Sequence, residues 1–184
     1  MRDLLNSIFA GPGLGPNPCA AGNIWPAPPA AGGERELRSA AVLVPLIDRA
    51  DGMTVLLTQR TDTMSDHAGQ IAFPGGRVEP GEATPEETAL RETEEEIGLS
   101  TSMIDVLGRM NARDTGTGYR VMPVVGLIQP PMSLSPDPSE VAKVFEVPMD
   151  FVLDPANHRL EKRDERGESR EYYVMPYNDH YIWG

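Results

Sequence analysis

The chain has a single cysteine, Cys19. An internal disulfide is therefore excluded, and the cytoplasm is the expected location. Cys19 has no histidine or cationic cluster beside it in the sequence and reads as incidental. No apolar run approaches the roughly 20 residues of a membrane-spanning helix. The start, MRDLLNSIFAGPG, has one early arginine, but its apolar stretch is short and broken by Asp3 and Asn6, so no signal peptide is expected. Basic residues are scarce, 16 Lys and Arg against 28 Asp and Glu, for a net charge of −12. That balance argues against a nucleic-acid partner, which calls for a basic face. A nucleotide-type small molecule stays admissible, because bound cations can screen its phosphates. The chain lacks a serine or cysteine nucleophile motif, which favours direct attack by water, and it lacks internal repeats.

What is present suits one domain. The 184 residues, 40% apolar and 24% charged, suffice for a core. Residues 1–38 read as an irregular arm: Gly11 to Gly33 is dominated by Gly, Pro and Ala, with Ile24 and Trp25 as its large apolar anchors. Docked on the domain or on a second subunit, the arm is compatible with a homodimer. From Ser39 the patterning changes. Strands are predicted at Ala40–Ile47 and Met53–Gln59, joined by the turn Asp48–Gly52, and at Gln70–Phe73, Asp105–Ala112, Tyr119–Ile128 and Val144–Val147. A short helix is predicted at Pro148–Leu153. A hairpin of Arg159–Lys162 with Glu171–Met175 is predicted around Arg166–Gly167. This alternation predicts an α/β domain with a mixed sheet.

The densest signal is Gly75 to Leu99, GGRVEPGEATPEETALRETEEEIGL. Thr84, Pro85 and Glu87 supply the N-cap, first-turn proline and capping-box acid of a helix, and Gly98 supplies its stop. Leu90 and Ile97, with Ala89 and Thr93, are read as its apolar stripe, and Glu92, Glu95 and Glu96 as a cluster on the opposite face. Acids in a last turn oppose the helix dipole, at about 0.3–1 kcal/mol each. A glutamate run alone usually solvates a helix face. A hard divalent cation would instead turn the repulsion into ligation.

The flanking residues favour the second reading. Gly76, Glu82, Arg91, Glu92, Glu95, Glu96 and Gly98 together resemble the signature box of the Nudix hydrolases, GX5EX7REUXEEXGU, with eight residues instead of seven between Glu82 and Arg91. Upstream, LLTQRTDTMSDHAGQIAFPGG (Leu56–Gly76) resembles the motif LLTxR[ST]xxxRxxxGxxxFPGG of the coenzyme A pyrophosphatase branch, in which the longer box spacing is typical. Ser65 stands where that branch has arginine. The resemblance spans about Ser39 to Gly184, assigned here as the Nudix domain, 39–184. It implies an α/β/α sandwich whose pattern continues into a C-terminal helix beyond Trp183–Gly184.

The resemblance also implies roles. Glu92, Glu95 and Glu96 become ligands of Mg²⁺ or Mn²⁺, and Glu95, Glu96, Arg91 and Glu140 the catalytic set. Arg91 orients a carboxylate, with Glu82 its partner or a contributor to the metal shell. The general base is a box glutamate or Glu140. Arg60, Gly75, Gly76 and Arg77 become substrate-binding residues, and Arg60, Arg77 or Arg113 could replace the arginine missing at Ser65. His67 is either an acid–base group or a packed histidine; His158 and His180 read as structural or solvent-exposed, and the nine methionines as core filling. The implied reaction is hydrolysis of coenzyme A or acyl-CoA to 3′,5′-ADP and (acyl-)4′-phosphopantetheine. The alternatives are another nucleoside diphosphate derivative (ADP-ribose, a dinucleotide, a modified triphosphate) or a noncatalytic binding module.

Overall fold

A computed structural model describes residues 37–63, 68–165 and 168–183, with backbone alone for 163–165 and 168–170. Residues 1–36 of the predicted arm, with Cys19, Ser65 and His67, lie outside the described residues, while the arm's last residue, Arg38, already belongs to the first strand.

The central strand is β1, Arg38–Arg49, whose run of alternating small and branched apolar residues is buried on both faces. It pairs in parallel with β7, Tyr119–Ile128, and divides its other edge between two partners. Residues Leu46–Arg49 pair with β2 (Gly52–Arg60) through a tight turn, and Ala40–Val42 pair with β4 (Gly75–Arg77). Strands β3 (Ile71–Ala72) and β8 (Val141–Pro148) extend the sheet from β2, and β5 (Ile104–Arg109) and β6 (Arg113–Asp114) extend it from β7. The result is a mixed eight-stranded sheet.

The two-residue period of β1 sorts the layers. Ala41, Leu43 and Ile47 point to one face, where Ala89, Ile97 and Leu99 of helix α1 (Pro85–Ile97) and its exit pack on them. Val44 and Leu46 point to the other face, packing with Val125, Leu127 and the short helix α2 (Met149–Leu153). One long and one short helix thus cover opposite faces. Among the described residues no helix is long and apolar enough to cross a membrane.

A second, three-stranded sheet follows: β9 (Arg159–Glu165), β10 (Glu168–Tyr177) and β11 (His180–Trp183). Ile182 buries against Leu57 and Val147, and the His180 ring stacks on Phe145 at 3.6 Å between centroids. His158 is exposed, its Nε2 2.7 Å from the Val152 carbonyl. The structure adjusts two expectations. The strand predicted as Asp105–Ala112 spans Ile104–Arg109, with a register shift inside it between Val106 and Gly108. Strands β4, β6 and β11 are additional elements, too short for periodicity to reveal.

Candidate active site

Helix α1 is fixed at both ends by local chemistry. The Glu87 amide donates to Thr84 Oγ1 at 3.3 Å, and Glu87 Oε2 accepts from the Thr84 amide at 3.0 Å, completing the capping box. Gly98 takes the left-handed conformation at φ 66°, and its amide donates to the Glu94 carbonyl at 2.9 Å. The loop beyond finishes the job: the Ser135 amide donates to Ile97 O at 2.8 Å and the Asp137 amide to Glu96 O at 2.9 Å. These bonds tie the loop that carries Glu140 to the helix end.

The predicted sharing of one face by the three glutamates is corrected by this geometry. Glu96 follows Ala89 by seven residues and Thr93 by three, so it lies on their buried face, 6% exposed. Glu92 is half-buried beside it, whereas the Glu95 side chain is 60% exposed. Glu96 is therefore an inward-facing acid. Its Oε2 accepts the Gly75 amide at 3.2 Å, and Arg60 Nη1 stands 3.8 Å from Oε1. Burial pushes the Glu96 carboxyl up to about 7 against the pull of Gly75 and Arg60, with the Glu92 and Glu140 charges adding to the rise. Burial also raises Glu92 despite the adjacent Arg91.

Arg91 is the hub of the exposed side. Its Nε meets Glu82 Oε1 at 2.8 Å, Nη1 meets Glu95 Oε2 at 2.8 Å, and Nη2 meets Glu92 Oε1 and the Arg77 carbonyl, each at 3.0 Å. Glu82 also accepts from the Glu79 amide and from Thr88 Oγ1. Burial alone would raise its carboxyl, but Arg91 and these donors hold it below the usual range. Of the two readings of Glu82, the structure brings it to Arg91. A Cβ at Gly76 would meet the Glu92 carboxylate, so a larger residue there would have to move Glu92 from its place beside Arg91.

The donor chemistry suits a hard cation. Glu92 and Glu96 are partly or wholly buried carboxylates whose ionised forms repel each other and Glu140, a cost that a divalent ion would offset. Among the described residues no three acidic or histidine side chains are already gathered as a ligand cage, and Arg91 holds Glu92 and Glu95 in its fork. Magnesium keeps several waters and needs few carboxylates, so an open set of this kind fits it.

Beside Gly75 and Gly76 opens a cavity of about 600 Å³, at the place where the edge of β1 passes from β2 to β4. Its walls include all four predicted substrate-binding residues, Arg60, Gly75, Gly76 and Arg77. They also include Arg38 and Tyr119, which the sequence did not single out. Arg113, a predicted replacement for the missing arginine, does not line it.

The Nudix domain family matches residues 37–180 of this chain. The chain is 42% identical over 147 residues to a protein of Photorhabdus laumondii described as uncharacterized Nudix hydrolase NudL, covering 80% of this chain and 78% of that protein. A Yersinia pestis protein of the same description is 38% identical over 147 residues, covering 80% and 73%. Among solved structures, a C. elegans Ap4A hydrolase complex superposes with a TM-score of 0.53 at 21% identity, covering 60% of this chain and 80% of that one. The M. smegmatis Nudix hydrolase RenU gives 0.50 at 25% identity, covering 62% and 73%. The chain belongs to the Nudix hydrolase family, enzymes acting on nucleoside diphosphate derivatives, and its sheet and helices form the Nudix fold.

Proposed function

We propose that this enzyme hydrolyses the pyrophosphate bond of coenzyme A or its thioesters, giving 3′,5′-ADP and 4′-phosphopantetheine or its acyl derivative. One observation carries the reading. Arg60, Phe73, Gly75 and Gly76, all from the Leu56–Gly76 motif, line a single cavity that abuts the acidic helix. A motif whose residues converge on one cavity is built to bind substrate.

Glu92, Glu95 and Glu96 would hold Mg²⁺ or Mn²⁺, which when bound supplies charge neutralisation on the phosphates and a more acidic water. Arg91 orients Glu92 and Glu95 through its fork. Arg60 binds the scissile phosphoryl group: its Nε is buried and has no hydrogen-bond partner among the described residues, so a substrate oxygen would satisfy it. Glu140 accepts the proton of the attacking water at its carboxylate, from a loop anchored by the Thr61 amide to the Glu140 carbonyl at 2.9 Å. The retained acids disfavour a noncatalytic module. The lone cysteine supports a cytoplasmic location.

The test is product analysis. Purified protein with Mg²⁺ is given coenzyme A, acetyl-CoA, ADP-ribose and a dinucleoside polyphosphate in parallel. The expected products are 3′,5′-ADP with phosphopantetheine species, formed with the highest kcat/KM. Turnover of ADP-ribose or the dinucleotide with coenzyme A left intact would overturn the substrate assignment.

A further inference from the structure

The three arginines of the cavity differ in what they meet. Arg60 lies at the carboxylate end, near Glu96. Arg38 and Arg77 line the cavity away from it, both exposed, and among the described residues neither has a carboxylate partner. In a chain of net charge −12 this is a local reversal of sign.

The backbone brings the pair together. Arg38 stands beside Tyr119 in the parallel β1–β7 register, and Arg77 pairs with Ala40, two residues along β1. Both guanidinium carbons sit near one ring, 4.2 Å and 5.3 Å from the Tyr119 centroid. A tyrosine ring attracts each cation but carries no net charge, so the two guanidiniums still repel. An anion bound at this end of the cavity would offset that repulsion. Thr117 also lines this end, its hydroxyl 2.9 Å from Thr115 Oγ1. Ala40, Val42, Ala72 and Val121 supply a small, apolar floor to the same cavity. The cavity therefore offers cationic donors at two places, with uncharged surface as the rest of its floor.

We infer that Arg38 and Arg77 form a second anion subsite, which takes a phosphomonoester carried by the substrate away from the scissile pyrophosphate. A phosphomonoester offers three acceptor oxygens, enough for two guanidinium forks and a hydroxyl. Resting on the function proposed above, this group is the ribose 3′-phosphate of coenzyme A.

The subsite can be tested without turnover. The full chain with Mg²⁺ is titrated calorimetrically with 3′,5′-ADP and with 5′-AMP. The 3′,5′-ADP is expected to bind at least about tenfold more tightly, the gain of charge-assisted hydrogen bonds to one added group. The gap should close in the double variant Arg38→Gln, Arg77→Gln and persist in part in Arg38→Lys. Both side chains are exposed, and unchanged melting temperatures would show that the variants fold. Equal affinities in the wild type, no binding of 3′,5′-ADP, or a gap that survives in the double variant would each overturn the subsite. Coenzyme A left uncleaved with the gap intact would overturn only the proposed reaction. Coenzyme A cleaved with no gap would overturn only the subsite.

Discussion

Glu146 and Glu96 each face one arginine, yet they end in opposite electrostatic states. On β8, Glu146 receives Arg49 Nη2 at 2.5 Å, Arg49 Nε at 3.1 Å and Thr54 Oγ1 at 2.5 Å. The Arg49 hydrogen bond, stronger than the effect of burial, holds its carboxyl below the usual range. Glu96 has one amide and an arginine 3.8 Å away, and burial pushes it the other way. The difference is one of completion. The Glu146 carboxylate is met by three side-chain donors, whereas Glu96 and Arg60 keep unspent hydrogen-bonding capacity beside a cavity. Function is to be sought where pairing was left open.

Conservative substitutions should separate the two sites most sharply in turnover. Glu96→Gln keeps the shape of the side chain and removes its charge. It is expected to lower kcat by about 10²–10³-fold, the loss seen when one group that stabilises developing charge is removed. Glu146→Gln should leave kcat within a factor of a few while lowering stability by about 1–2 kcal/mol, between the values for exposed and buried ion pairs. Steady-state kinetics with urea unfolding of both variants checks the contrast. Equal kinetic losses at the two positions would erase it.

A divalent cation should sharpen the comparison at the level of stability. Binding only the folded state at a hundred times its dissociation constant adds about 2.7 kcal/mol, or roughly 5–10 °C in melting temperature for a chain of this size. The Mg²⁺-dependent rise is expected in the wild type and in Glu146→Gln, and should be largely lost in Glu96→Gln. A rise of the same size in Glu96→Gln would remove Glu96 from the cation site.

Local signals read well from the sequence, and non-local ones did not. The capping residues Thr84, Pro85, Glu87 and Gly98 act within one or two turns, so their spacing sufficed. The inward turn of Glu96 was also local, but it was hidden by counting carboxylates together instead of following Ala89 and Thr93 along the helix. Arg38 and Tyr119 are 81 positions apart and meet through the parallel β1–β7 register, which no local pattern encodes. The loop that carries Glu140 is held by Ser135 and Asp137 amides on the helix carbonyls, bonds that involve no side chain and so leave no trace in composition.

The smallest effect, and the one most particular to this pair of acids, is the sign of their pH dependence. Glu146 has a folded pKa below its ordinary value of 4.5, because Arg49 and Thr54 prefer the ionised form over the opposing effect of burial. Its contribution to stability is present above 4.5 and is lost as the pH falls through the folded value. Glu96 has a folded value of about 7, above the same ordinary 4.5. Its contribution is fully present below 4.5 and is lost as the pH rises through about 7. In chelator, Glu146→Gln should be less stable than the wild type near neutrality, with the difference shrinking in acid. Glu96→Gln should gain on the wild type between pH 5 and 8, where the wild type must ionise a buried acid without its cation. Urea midpoints measured across that range for the three proteins give both slopes. If the two differences run parallel with pH, the closed and open networks are electrostatically alike, and the distinction between them has to rest on turnover alone.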